Sequence, residues 1–517
     1  MDLALDVIEP AAASPPPPAA IDGAPAVIDM GTATALGVLS SGVSLALSIV
    51  RSKVTAIALG PAGLGKVAEV LQIVTIANLP ATMITGPALV SGVAEAARRG
   101  ERAEVQRIAR TATTVAIGAS VVGGILAVIA GYWLLPAPWG RSAWPFTILA
   151  AATALFTAWA AISQQILTAH ARLTRLTIVR LMMTVSAVAL LCAGTLLLGL
   201  TGQFIAMAVA AMIAVPIAGL AVRRELGFFV WPSRSVDRAF VRRALTIGAT
   251  AFIAGWAQQG VLFTVRWTLI AHGGDEQNGQ FQAAYAIGAT YFGIVLDGIG
   301  TYVLPRYAAA QNAAELATEM EAAARFVFRM APPAIFAAIA MRGLLVRALY
   351  SHRFDAANEL VGLQMVGDMA RSMAWVQASP LLYRNRIRAF AITEAFAGIV
   401  VAGGSLILVP IYGLNGVGYA YLIMWVGYVV LTAIVVSKSC DVPFVGRRLA
   451  STLALTAAAY AVLRLTALHE AVRWVVLAGV FFAWYRNGVL GSVWSRVRGK
   501  LAALSALRRK RPASPPS

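Results

Sequence analysis

Long apolar runs separated by short polar breaks set the pattern of this chain. A helix needs roughly 20 apolar residues to cross the hydrocarbon core of a bilayer. Fourteen segments meet or approach that length: 33–59, 66–96, 109–135, 144–168, 174–199, 203–222, 244–271, 280–304, 327–349, 359–383, 388–411, 415–437, 447–468 and 471–488. The pattern predicts an all-helical polytopic membrane protein of about 14 transmembrane helices. The last two segments are the shortest, so twelve is the competing count. Residues 1–30 depart from the pattern, with Pro15–Pro18, further prolines, five acidic residues and no Lys or Arg. They read as a disordered tail and not as a secretory signal, which opens on a basic region. In the 489–517 tail, Leu490, Val493, Val497, Leu501 and Leu504 recur at helical spacing with basic residues between them. That spacing predicts an amphipathic helix lying in the membrane interface.

Charge then orients the pattern. Alternate breaks are basic: Arg98, Arg99, Arg102 and Arg107; Arg172; Arg223, Arg224, Arg234, Arg238, Arg242 and Arg243; Arg306 and Arg325; Arg384 and Arg386; Lys438; and the tail. The intervening breaks hold little beyond Arg141, Arg353 and an acidic pair, Asp275 and Glu276. Positive loops stay inside, so both termini are expected in the cytoplasm.

Composition narrows the function classes. Of 517 residues, 59% are hydrophobic and 13% charged, and the mean hydropathy is +0.75. A surface this apolar excludes a soluble enzyme. The net charge of +19 is a topology signal with anionic lipids as partners, not a sign of nucleic-acid binding. Two cysteines, Cys192 and Cys440, make no thiolate cluster, and His170, His272, His352 and His469 share no ligand spacing. No cofactor or metal is expected.

A shift of 214 residues maps the chain onto itself. It pairs Gly65 with Gly279, Ile73 with Ile287, Gly86 with Gly300, Arg172 with Arg386, Gly199 with Gly413, Gly202 with Gly416 and Ala206 with Ala420. The shift carries the second segment onto the eighth, the fifth onto the eleventh and the sixth onto the twelfth. Six segments plus six is a parallel repeat, as in many transporters. The expected organisation is a six-helix lobe over 31–226, a cytoplasmic linker over 227–243, a second lobe over 244–437 and an extra helix pair over 438–488.

Several stretches carry a family resemblance. Leu59-Gly60-Pro61-Ala62-Gly63-Leu64-Gly65 ends the first segment, and Arg98-Arg99-Gly100-Glu101 with Val105 to Arg110 follows the second. Gly298-Ile299-Gly300-Thr301 through Leu304-Pro305, and Leu344 to Leu363 with Arg353-Phe354-Asp355-Ala356-Ala357, lie in the second half. Together they resemble the bacterial polysaccharide flippases, the O-antigen and exopolysaccharide exporters of the multidrug/oligosaccharidyl-lipid/polysaccharide (MOP) superfamily. The Leu79-Pro80 step is also similar to the lipid II branch. The resemblance implies two lobes working by alternating access on an undecaprenyl-pyrophosphate-linked glycan, with polysaccharide polymerase and ligase machinery as partners. The lipid II flippases and the drug or cation antiporters of the superfamily remain the alternatives. A membrane glycan polymerase or ligase is the rival from another class, but the chain lacks the large extracytoplasmic loop on which such enzymes usually place their catalytic residues.

Charges inside membrane segments are costly and usually face a cavity or bundle interior. Arg51 and Arg266 occupy nearly equivalent positions in the two repeats. Arginine binds phosphate through two parallel bonds and stays ionised, so this pair is the candidate pyrophosphate site, with Lys53, Gln164 and Gln258 as further substrate-binding candidates. Gln165 and Gln259 adjoin them, and Tyr285, Tyr291, Phe292 and Tyr302 offer faces for sugars or for the interfacial belt. Arg180 shifted by 214 lands on Glu394, a candidate gate pair. Asp297, Asp368 and Arg371 complete the candidates for gating or coupling. Glu69 and Glu95 read as lying toward the ends of the second segment, which counts against an ion antiporter.

Overall fold

A computed structural model describes residues 30–134, 144–170, 172–233, 236–288, 303, 306–443 and 445–486. Regular structure among these residues is helical throughout. In chain order the helices are α1 (Met30–Leu79), a π-helical turn (Pro80–Ile84), α2 (Thr85–Arg98), α3 (Arg102–Leu134), α4 (Trp144–Ala169), α5 (Leu173–Leu226) and α6 (Arg238–Ala286). They continue with α7 (Ala313–Leu349), α8 (Ala357–Tyr383), α9 (Ile387–Tyr412), α10 (Leu414–Cys440), α11 (Gly446–Leu468) and α12 (Glu470–Arg486). Among the described residues, eight helices are long and apolar enough to cross a membrane. The chain is a multi-pass membrane protein. The expected tail helix over 489–517, and Asp297, Tyr291, Phe292 and Tyr302, lie outside the described residues.

Three helices are too long for one crossing. α1, α5 and α6 run for 50, 54 and 49 residues. At about 1.5 Å per residue each would be more than twice the thickness of a hydrocarbon core. Each is broken by one glycine with positive φ: Gly60 (φ 67°, ψ −173°), Gly199 (62°, −138°) and Gly274 (69°, −172°). Gly413 (54°, −135°) makes the corresponding break between α9 and α10. Positive φ with ψ near 180° is territory that glycine holds almost alone.

The four breaks pair at the repeat spacing, Gly60 with Gly274 and Gly199 with Gly413, and the paired dihedrals agree within 8°. The residues entering α5 and α9 agree as well: Arg172 sits at −81°, 57° and Arg386 at −88°, 51°. The repeat read from a few identities is therefore also a repeat of backbone geometry.

Apolar packing follows the same line for the most part. Leu89, Val93, Ala109, Ile162, Ile166 and Val222 belong to a core built mainly by α2–α5, which Phe240 and Ala244 of α6 join. Leu269, Ile335, Ile339, Val361, Val366 and Val429 belong to another built mainly by α6–α10, which Ala56 and Leu64 of α1 and Leu463 of α11 join. The connection after α5 is fastened to the first of these cores. Trp159 Nε1 donates to the Val230 carbonyl at 3.1 Å, and the Ser233 amide donates to Thr114 Oγ1 at 2.7 Å. Asp237 then caps α6 by accepting from the Ala239 amide at 2.9 Å, a charged partner for donors that have none within the helix.

Candidate functional site

Two glycines bring the halves into backbone contact. A Cβ on Gly65 would overlap the Asp275 carbonyl oxygen, and a Cβ on Gly279 would overlap the Pro61 carbonyl oxygen. The two contacts exchange under the 214-residue shift, since 61 maps to 275 and 65 to 279. The arms following Gly60 and Gly274 thus cross about a local twofold, at a separation only glycine allows. Around this seam, Asn278 Nδ2 donates to the Gly65 carbonyl at 3.0 Å, and Lys66 Nζ lies 3.5 Å from an Asp275 carboxylate oxygen.

Arg266 sits beneath the seam at 4% exposure. Its Nη1 donates to Asn278 Oδ1 at 2.8 Å and its Nη2 to Gln282 Oε1. The guanidinium lies over Phe281, 5.3 Å from the ring centroid, and Tyr285 packs on that ring. Its Nε has no hydrogen-bond partner among the described residues. Glu69 of α1 is buried at 7% exposure and acts on Arg266 electrostatically.

Beside this cluster is a cavity of about 200 Å³. Arg51, Ser48, Ser52, Gln203 and Gln282 give it a polar wall, and Leu64, Val67, Leu71 and Met207 an apolar one. Gln282 thus lines the cavity that Arg51 also lines while accepting from Arg266. The chemistry of the site is cationic and rich in donors within an apolar surround, where an anion is held far more strongly than in water.

No family profile matches the chain. The lipid III flippase of Escherichia coli K12 is 20% identical over 393 residues, covering 75% of this chain and 94% of that protein. The protein of the same name from Shigella flexneri matches equally. Among solved structures, the lipid II flippase MurJ in an inward closed conformation superposes with a TM-score of 0.63 at 12% identity, over 89% of this chain and 99% of that one. An inward-facing multidrug-resistance MATE transporter of the MOP superfamily gives 0.59 at 14% identity, over 76% and 95%. The chain has the MOP-superfamily fold.

Within the MOP fold the remaining candidates are dispersed. Lys53 Nζ donates to the Ala348 carbonyl at 2.7 Å and so caps the end of α7 in the other half. Arg180 is exposed, its Nε 3.3 Å from Gln164 Oε1. Glu394 is also exposed and accepts from the Tyr428 hydroxyl at 2.6 Å. Each member of the expected gate pair is thus engaged in its own half in this conformation. Gln258 is exposed on α6, while the neighbouring Gln259 carbonyl accepts from Gln72 Nε2 at 3.1 Å. Asp368 is fully buried; its Oδ1 accepts from the Tyr421 hydroxyl at 2.7 Å and from Arg371 Nη1 at 3.2 Å. Asp368 Oδ2 and Gln364 Oε1 have no hydrogen-bond partner among the described residues, and both lie within 4 Å of where a Cβ on Gly288 would sit.

Asn278, Gln282 and Gln203 of the site escaped the sequence reading, as did Ser48 and Ser52. The first two lie four apart, on one face of a helix, in a segment that was expected to begin at 280. The helix instead resumes directly after Gly274, which places Asn278 inside it. Glu69, read as lying toward an end of the second segment, is buried.

Proposed function

We propose that this protein is a flippase that carries a polyprenyl-pyrophosphate-linked oligosaccharide across the bacterial inner membrane by alternating access. The two repeats are its lobes, over 31–226 and 244–437, joined by the 227–243 linker, with 438–488 as an extra helix pair. Both termini face the cytoplasm, and the Gly65–Gly279 seam faces the periplasm. The name of the Escherichia coli relative and the likeness to a lipid II flippase support a lipid-linked cargo. The observation that carries the reading is the cavity lined by Arg51, with Arg266 reaching its wall through Gln282. Two like charges in an apolar interior favour an anionic ligand between them, and pyrophosphate offers oxygens to both. Asp368, buried with one carboxylate oxygen unmet among the described residues, is the coupling residue, with Arg371 as its fixed partner. Arg180 and Glu394 meet across the cavity mouth when the cytoplasmic side closes.

The test is surface glycan in cells that depend on this gene, read beside the amount of protein in the membrane. Arg51→Ala with Arg266→Ala loses most export at a normal protein level, and the double lysine variant keeps part of it, because charge survives while the two-pronged geometry does not. Wild-type export from the double alanine variant removes the arginines from the phosphate site.

A further inference from the structure

Asn278 has both ends of its amide committed, to groups on opposite sides of the seam. Its Oδ1 accepts from Arg266 at 2.8 Å, and its Nδ2 donates to the Gly65 carbonyl at 3.0 Å. The side chain has no exposed surface. Chemistry fixes this orientation, because a guanidinium has no acceptor and a carbonyl has no donor. Arg266 and Asn278 belong to the second half, and Gly65 to the arm of the first half that crosses it. Asn278 therefore joins the arginine beside the cavity to the backbone contact that shuts the seam.

Arg266 donates to two neutral amide oxygens and lies over a ring face, while the Glu69 carboxylate acts on it only electrostatically, with no hydrogen bond between the two among the described residues. A phosphate offers charged oxygens that a guanidinium binds in pairs, at shorter and stronger contacts than neutral amides provide. Arg266 is not among the residues lining the neighbouring cavity, so its guanidinium reaches an anion there only by leaving Asn278 and Gln282. Once Arg266 turns to it, the Asn278 oxygen is left buried without a donor, which is costly. The amide must then reorient, and the Gly65 carbonyl loses its donor. We infer that Asn278 is a positioning residue that ties the seam to the occupancy of the cavity: the seam stays shut while Arg266 engages Asn278 and is released when phosphate takes Arg266. This rests on the reading that the cavity receives the cargo's pyrophosphate.

The test uses the full chain in lipid nanodiscs, with Cys192 and Cys440 replaced by serine and spin labels on cysteines at the exposed positions Ala62 and Glu276. Inorganic pyrophosphate is the probe. Pulsed electron paramagnetic resonance reads the distance across the seam, and titration calorimetry reads binding. In the parent protein, pyrophosphate raises the population with the longer distance. Asn278→Ala shows that population without pyrophosphate and binds the probe at least as tightly as the parent. Asn278→Asp is nearly the same size, but its carboxylate holds Arg266 and cannot donate to Gly65. It also opens the seam without pyrophosphate, yet binds the probe about tenfold or more weakly, a cost of about 1.4 kcal/mol. A merely structural role would not split the two variants in this way. Parent-like closure and parent-like opening in both variants overturn the relay, as does a parent protein that binds pyrophosphate while its seam stays unmoved. A parent protein that does not bind pyrophosphate overturns the cavity reading beneath it.

Discussion

Replacing Gly274 with alanine isolates one cost. The residue sits at φ 69° and ψ −172°, and a Cβ there would meet no atom within 4 Å. Nothing is crowded, so the penalty is that of holding an L-residue in a glycine-only conformation, about 1–3 kcal/mol. Gly60, its counterpart at φ 67°, would bring a Cβ 3.7 Å from Arg353 Nη1, an ordinary contact, and carries the same penalty. Gly403 is the control. It lies inside α9 with helical dihedrals and also meets nothing within 4 Å. Alanine there stabilises by up to about 1 kcal/mol, because glycine is the poorer helix former. The same chemical change should therefore move stability in opposite directions at Gly274 and Gly403, about 1–4 kcal/mol apart. The assay is unfolding of the detergent-solubilised protein in increasing sodium dodecyl sulfate, followed by tryptophan fluorescence. Equal midpoints for Gly274→Ala and Gly403→Ala would refute the assignment of the breaks to backbone strain.

Asp355, in the connection between α7 and α8, accepts from Arg347 Nε at 3.0 Å and Nη2 at 2.8 Å. The hydrogen bond from Arg347 holds its carboxyl below the usual range, against the opposing effect of burial. A lowered value in the folded protein means that the stabilisation is present above the ordinary carboxylate pKa and is lost as pH falls through the folded value. Asp355→Asn is thus less stable than the parent at neutral pH, and a melting series should show the difference vanish in acid. Arg180→Glu and Glu394→Arg each impair export, and the double reversal restores part of it; additive damage would show that the two do not couple. In a background without Cys192 and Cys440, a cysteine at Glu276 is labelled in intact cells by an impermeant thiol reagent and one at Ser235 is not. Labelling at Ser235 alone would invert the topology.

The apolar runs located the helices because burial in lipid demands them, and one of the identities that revealed the repeat, Gly199 with Gly413, is a pair of breaks that need glycine. Boundaries were harder. The acidic stretch at 275–276 reads as a loop, yet a single residue at Gly274 turns the chain and the helix resumes at once. That hid Asn278 and Gln282, whose spacing of four is a helical signal only once the helix is known to include them. Repeat register singled out Arg51 and Arg266; Arg51 lines the cavity, and Arg266 donates to Gln282 of the same wall. The burial of Glu69 was not legible, because distance from a segment end along the sequence says little about burial. Lys53 shares a helix with Arg51, but its long side chain leaves the cavity to reach a carbonyl of the other half. Pairing across halves depends on packing that no local pattern encodes.

Reconstituted transport tests the central claim most directly. Purified protein is placed in liposomes containing a fluorescent polyprenyl-pyrophosphate-linked oligosaccharide, and a glycosidase added outside reports how much cargo becomes accessible with time. The account predicts that wild-type protein exposes the inner-leaflet cargo far faster than protein-free liposomes do, and that the protein carrying both Arg51→Ala and Arg266→Ala falls to the protein-free rate. Wild-type protein that leaves the cargo at the protein-free rate, or a double alanine variant that moves it at the wild-type rate, would contradict the account.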